Sequence, residues 1–171
     1  MIIKKLDEFF DLLNETFEKS LEIKWINQGN DLIGLFSTNE NAYQINCIDK
    51  GDNIWRYDFY HVTKSTNFTF SPNLLVSVKD RFNILSTVKE GLYYLINNKE
   101  VDAIVFGATD RSRGRKKLYE RFCKDFSIKT GYKFYTRVQN DNQLFLLFKE
   151  NIDLEILTNK VISIIDEEKD I

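Results

Sequence analysis

The sequence predicts an α/β chain (α+β in some schemes). A mixed, mainly antiparallel sheet is flanked by helices, with an added helix at each end. Three observations carry this. Four strand-like segments separated by turn residues run from Glu22 to Val62, the signature of an antiparallel meander. The apolar run Val101–Gly107 lies between two helical patterns and carries Ile104, Val105 and Phe106 in succession. Apolar residues on both faces suit a strand covered on both sides, as in a βαβ crossover. The chain then closes with a hairpin around Asn140-Asp141-Asn142 and one more amphipathic stretch.

Taken in order, Ile2, Leu6, Phe9, Phe10, Leu13 and Phe17 recur at helical spacing among Lys, Asp and Glu, which predicts a helix over about residues 3–19. Glu22–Ile26 alternates, with Ile23 and Trp25 opposite Glu22 and Lys24, and Gln28-Gly29-Asn30 is a turn signal. Leu32–Ser37 and Ala42–Ile48 follow, separated by Asn39-Glu40-Asn41. Lys50-Gly51-Asp52-Asn53 then introduces the longest strand, Ile54–Val62. Alternation places Trp55, Tyr57, Phe59 and His61 on one face of that strand. Asn67–Phe70 extends the sheet, and Ser71-Pro72-Asn73, with the only proline, breaks it.

From about Lys79 to Asn97 the pattern is helical, its stripe formed by Phe82, Leu85, Val88, Leu92, Leu95 and Ile96. Gly91 within it costs up to about 1 kcal/mol against alanine and marks close packing on the sheet. A second helix over about Ser112–Lys129 buries Leu118, Phe122 and Phe126, with Tyr119 and Cys123 alongside. Gly131 is its C-terminal cap. Tyr132–Gln139 and Gln143–Lys149 form the hairpin, and Ile152, Ile156, Leu157, Val161, Ile164 and Ile165 form the last helix.

A chain of 171 residues without repeats, low-complexity linkers or a composition break reads as one domain, residues 1–171. Its 43% hydrophobic content supports a packed core rather than disorder. With 24 basic and 26 acidic residues, the net charge of −2 gives no global attraction to nucleic acid, so any such contact needs a local patch. Cys47 and Cys123 are too far apart for a CxxC pair, and with a single histidine there is no zinc spacing. Two reduced thiols in a cytoplasmic protein are expected. The start Met1-Ile2-Ile3-Lys4-Lys5 enters an amphipathic pattern with no apolar h-region, so secretion is not expected. No apolar run approaches the roughly 20 residues that span a bilayer.

Leu118-Tyr119-Glu120-Arg121, then Gly131-Tyr132, then Leu144-Phe145-Leu146-Leu147-Phe148-Lys149 resemble, in order, the late motif and final strand of the GNAT family of N-acetyltransferases. The family motif reads Leu-Tyr-Glu-Lys-x-Gly-Phe, and here an insertion lengthens the helix before Gly131. The resemblance covers roughly Ile54–Lys149. The Ser-Arg turn before Lys117-Leu118-Tyr119 is also similar to small GNAT-like proteins carried by bacteriophages, and the Asn- and Lys-rich composition fits an AT-rich phage or bacterial genome. The resemblance implies acetyl-CoA as cofactor, an acceptor amine as substrate, and a host-cytoplasm or virion location. It also implies that the acyl donor enters the splay between Ile54–Val62 and Val101–Gly107. Tyr119 takes the family's general-acid position, since a phenol of ordinary pKa about 10 carries a proton at neutral pH. Asp58 and His61 lie on the strand that often holds a base or an amine-positioning water, and an imidazole pKa near 6.5 suits that task. Their structural alternatives are a cross-strand ion pair for Asp58, which shares its face with Arg56 and Tyr60, and a buried or surface structural histidine for His61.

Two departures stand beside the match. The family's phosphate loop is glycine-rich, which lets backbone N–H groups reach the pyrophosphate at a helix N-terminus. The equivalent stretch here, Val76–Leu85, has no glycine, so Lys79 and Arg81 are left as the cofactor-binding charges. Arg115, Lys116 and Lys117 also stand where the family places small residues. With Arg111 and Arg113 they put five cations at a helix start, against the macrodipole. That arrangement is either a solvated face or a site for an anion: a phosphate of a nucleic acid or nucleotide, an acidic protein surface, or intramolecular carboxylates such as Asp110 and Glu120. The rival to an N-acyltransferase is therefore a non-catalytic GNAT-like binding module, a virion or host-takeover component, using the basic turn.

Overall fold

A computed structural model describes residues 20–62, 68–69, 78–109, 113–139 and 142–169. The helix expected over residues 3–19 and the break at Pro72 lie outside the described residues. The elements are β1 (Lys24–Gln28), β2 (Asp31–Ser37), β3 (Ala42–Asp49), β4 (Ile54–Val62), β5 (Phe68–Thr69), α1 (Val78–Asn98), β6 (Ala103–Thr109), α2 (Arg113–Thr130), β7 (Lys133–Gln139), β8 (Asn142–Phe148) and α3 (Leu154–Lys169). The strand order is β1-β2-β3-β4-β6-β8-β7, with β5 paired to β4. The class is α+β. None of the described helices is long and apolar enough to cross a membrane.

The backbone groups into two compact units, one of residues 1–46 and 59–98, the other of residues 47–58 and 99–171. In the first, β1 pairs antiparallel with β2 from Lys24↔Leu35 to Gln28↔Asp31. The strand is displaced two residues toward the C-terminus from the expected Glu22–Ile26. The reason is the two-residue turn Gly29-Asn30, in which Gly29 has φ 62°. Glycine takes that conformation without a Cβ clash, and closure there makes Gln28 part of the ladder. The alternation expected for β2 and β3 holds, with Leu32, Phe36, Tyr43 and Ile45 buried. In α1 the buried stripe is Ile84, Val88, Leu92 and Leu95, so Ile84 takes the core position expected of Leu85. Within this unit Trp25 stacks on Tyr94 of α1 at 4.2 Å, and Thr87 Oγ1 accepts the Leu21 N–H at 2.8 Å.

Gly34 of β2 lies under that packing. A Cβ there would stand 2.8 Å from Ile23 Cγ2 and 3.0 Å from the Trp25 ring. Gly34→Ala is expected to destabilise the chain by about 1–3 kcal/mol through overpacking, read as a lowered urea midpoint with an unchanged slope.

In the second unit the sheet has a helix against each face. On one face Ile54, Ala103, Val105, Leu144, Leu146 and Phe148 pack with Leu157 and Val161 of α3. On the other, Ile104, Phe106, Phe145 and Leu147 are buried, and α2 covers them, its Tyr119 meeting Phe106 and Phe145. Period-2 alternation in β6 and β8 thus serves two cores, as Val101–Gly107 predicted. In α2 the deepest residues are Cys123 and Phe126, while Phe122 is only half-buried; in α3 the sequence stripe also misplaces Ile156, which is 59% exposed. Gly131, φ 78°, caps α2 by donating its N–H to Ser127 O at 3.0 Å, as expected. Tyr132 Oη then donates to Val101 O at 2.8 Å, tying the start of β7 to the entry of β6.

Candidate functional site

β6 is the strand on which the site turns. It pairs antiparallel with β8 over its full length, from Ala103↔Phe148 to Thr109↔Asn142, and parallel with β4 at Ile54↔Ala103, Trp55↔Ile104 and Arg56↔Val105. Among the described residues no β4–β6 pair follows Arg56↔Val105. Tyr57 and Asp58 of β4, and Phe106–Thr109 of β6, run on without a shared ladder. Unpaired strand edges expose backbone donors and acceptors to whatever lies beside them.

The side chains at this point are aromatic. Two residues beyond the Trp55↔Ile104 pair, on the same face, come Tyr57 and Phe106, both buried. Phe106 stacks on Phe145 at 6.0 Å, and Phe145 on Phe134 at 6.3 Å. The half-buried Tyr119 ring meets Phe106 edge-on at 6.2 Å and Phe145 at 5.9 Å, geometries that aromatic quadrupoles favour. Burial pushes the Tyr57 phenol well above its ordinary value, and the charges of Cys47 and Tyr119 push it further. Tyr57 therefore keeps its proton through the neutral range.

Asp58 lies on the opposite face of β4. Its Oδ2 is 2.7 Å from Arg56 Nε. The pair runs along one strand, at i and i+2, rather than across strands as expected. Although the distance is that of an ion pair, no described donor is aligned on this buried oxygen for a hydrogen bond. The charge contact holds without that alignment, because ion attraction depends only weakly on angle.

His61, in the first unit, has Nε2 2.9 Å from Asn41 Oδ1. An amide oxygen only accepts, so Nε2 is the donor in this contact. Nδ1 is buried with no hydrogen-bond partner among the described residues, and the ring stands edge-on to Tyr43 at 5.4 Å.

The cations of the sequence reading fall at two helix starts. Lys79 and Arg81 are in the first turn of α1, and Arg113, Arg115, Lys116 and Lys117 are in the first turns of α2, which has no acidic residue in its first turn. The side chains of all six lie outside the described residues, as does Arg111 altogether.

A separate cleft of about 450 Å³ opens at the other end of the parallel pair, with Asp52, Asp102, Asp153 and Lys160 at its rim and Ile54, Ala103 and Leu157 in its lining. Its charges are mutually engaged. Lys160 Nζ is 3.1 Å from Asp52 Oδ2, Lys149 Nζ is 3.3 Å from Asp102 Oδ1, and Asp153 Oδ1 caps α3 by accepting the Ile156 N–H at 3.0 Å. No group among the described residues has the arrangement of a metal site. Both cysteines are buried thiols. Burial, followed by the Glu120 charge, pushes Cys123 far above its ordinary range, so it is no nucleophile.

The structure thus brings Tyr119 to the end of the parallel ladder and adds Tyr57, Phe106 and Phe145 to it. All three had a sequence signal only as apolar or aromatic strand positions, Tyr57 and Phe106 on the predicted parallel pair and Phe145 in the closing hairpin. No protein-family model matches the chain, and no curated protein matches it.

Proposed function

We propose that this chain is an acyl-CoA-dependent N-acyltransferase of GNAT-like build. The observation that carries the reading is the short parallel ladder. In a mostly antiparallel sheet, β4 and β6 are joined by a crossover through α1, pair in parallel over Ile54–Arg56 and Ala103–Val105, then continue without pairing, with a tyrosine of α2 near the end. Open strand edges fit the acyl end of such a donor, whose amides hydrogen-bond as a strand does. The cations expected to serve the cofactor, Lys79 and Arg81, stand at the start of α1 in the other unit, where Val76–Leu85 lacks glycine.

When bound, the donor supplies an activated acyl carbonyl and a sulfur leaving group. The backbone of Tyr57–Asp58 and Phe106–Thr109 would hold it. Tyr119 keeps a proton at Oη for the departing sulfur. Asp58, two residues past the last parallel pair, is the candidate base in this unit, although it lies on the face of β4 opposite Tyr119 and is held by Arg56 at 2.7 Å. His61 Nε2 is already committed to Asn41, which leaves it the role of fixing β4.

A second reading, a non-catalytic module that binds an anionic protein or nucleic acid, is favoured by one observation. α2 begins with Arg113, Arg115, Lys116 and Lys117 and no carboxylate in its first turn. Thermal stability measured with acetyl-CoA separates the two. Micromolar affinity at millimolar ligand adds about 4 kcal/mol, a rise in Tm of roughly 10 °C for a chain of this size. No rise, together with capture of an anionic partner that Arg113→Ala and Arg115→Ala abolish, would replace the acyltransferase with the module.

A further inference from the structure

We infer that the outer edge of β7 is a docking edge for an extended acidic segment of another protein, which adds to the sheet as one more strand with its carboxylates facing Lys133 and Arg137. The inference stands apart from the acyltransferase reading and uses none of the residues assigned to it.

β7 closes the sheet. Its seven residues pair one to one with β8, from Lys133↔Phe148 to Gln139↔Asn142, and no described strand lies on its other side. In a strand paired on one side only, every second residue turns its N–H and C=O away from the partner. Side chains hold this edge in place. The Phe134 ring stacks on Phe145 at the α2 face, and Tyr135 packs against the core at the α3 face. An incoming strand therefore meets a template that is already formed, which lowers the ordering cost of binding. Main-chain bonds supply the attraction in such an addition, and alternate side chains supply the selectivity.

The charges choose the occupant. Lys133 and Arg137 are exposed and share the Tyr135 face of β7, about 13 Å apart by strand rise. Lys133 Nζ is 3.8 Å from Glu150 Oε1, an exposed pair of the kind that contributes little. Arg137 has no ion-pair partner among the described residues. A second copy of β7 is a poor occupant. Two-fold pairing centred on Tyr135 sets each Lys133 directly opposite an Arg137, and pairing centred on Thr136 makes the two Arg137 side chains diagonal neighbours. The same two positions favour a strand with carboxylates at the matching spacing, so they repel one partner and attract the other. On the opposite face Val138, 66% exposed, continues the row of Phe134 and Thr136 and calls for β-branched residues between the carboxylates. At the other margin of the sheet, β1 has one charge, Lys24, in five residues, and carries no such pattern.

The test titrates the full chain with the peptide Thr-Val-Glu-Val-Thr-Val-Glu, blocked at both ends, and follows amide protons by NMR. Alternate residues of β7 are expected to gain protection from hydrogen exchange. Binding should weaken about tenfold or more in Arg137→Glu and with a peptide carrying Lys in place of Glu, and should fall as salt rises. N-methylation of one alternate set of peptide nitrogens is expected to abolish binding, while N-methylation of the other set, whose N–H groups face away from β7, leaves it within about threefold. These last changes are made in the peptide, so the folding of a variant does not enter. No binding at millimolar peptide, equal binding of the Lys peptide, or equal behaviour of the two N-methylated peptides would overturn the inference. So would loss of binding in Arg113→Ala with Arg115→Ala but not in Arg137→Glu, which would place the acidic strand on α2. A dimer in sedimentation equilibrium that the peptide dissociates would give the edge to a second copy and overturn it too. Acetyl-CoA binding is read separately by the thermal measurement, so neither result decides the other.

Discussion

Tyr119→Phe is expected to lower turnover by about a hundredfold or more while leaving acetyl-CoA affinity nearly intact. A positioned general acid contributes roughly 10²–10⁴, and the substitution removes that proton and little else. The ring that meets Phe106 at 6.2 Å and Phe145 at 5.9 Å is kept, so the packing on β6 and β8 and the helix that carries it should persist. A loss in kcat with constant KM marks an interaction made in the transition state. Steady-state kinetics with acetyl-CoA and an amine, alongside a melting curve, reads both quantities. Unchanged turnover with a lowered Tm would reduce Tyr119 to a packed aromatic and take the proposed acid out of the mechanism.

Much of the frame around Tyr119 was legible in the sequence because it is written in local periodicity. Ile104-Val105-Phe106 has no polar face, and the strand is covered on both sides. Trp55 and Tyr57 alternate with Arg56 and Asp58, and they are buried on one face. Gly131 follows the last helical residue and adopts φ 78°. The misplacements occur where a neighbour overrides the local pattern. β1 slides by two residues because the Gly29-Asn30 turn dictates the pairing, and the stripe of α2 centres on Cys123 and Phe126 rather than Phe122. Ile156 has the helical spacing of a core residue yet faces out of its unit, since Leu157 and Val161 already fill the sheet contact.

The end of the β4–β6 ladder was not legible in local periodicity; only the family resemblance suggested a splay between the two strands. β4 alternates in the same way on both sides of Arg56, so nothing local records that its parallel partner stops at Val105. Where a parallel ladder ends is a property of the whole layer, and the residues beside that end read one by one as core.

Phe145→Ala is expected to be the most destabilising single change, at about 3–5 kcal/mol, the usual range for emptying a phenylalanine site. Phe145 is fully buried in β8 between two strand partners, opposite Phe106 of β6 and Thr136 of β7. Its ring is the common neighbour of Phe106, Phe134 and Tyr119. Three rings from β6, β7 and α2 lose one partner together, and none can close the gap without leaving its own contacts. Against a total stability of about 5–15 kcal/mol, such a loss leaves a marginal chain, which urea unfolding at 25 °C would report. The same cavity would loosen Tyr119, so at a temperature where Phe145→Ala remains folded, kcat should fall as well. Phe145→Leu, which refills most of the volume, should recover the larger part of both. A stability loss under 1 kcal/mol in Phe145→Ala would mean that the ring cluster does not hold α2 against the sheet, and the placement of Tyr119 would then need another support.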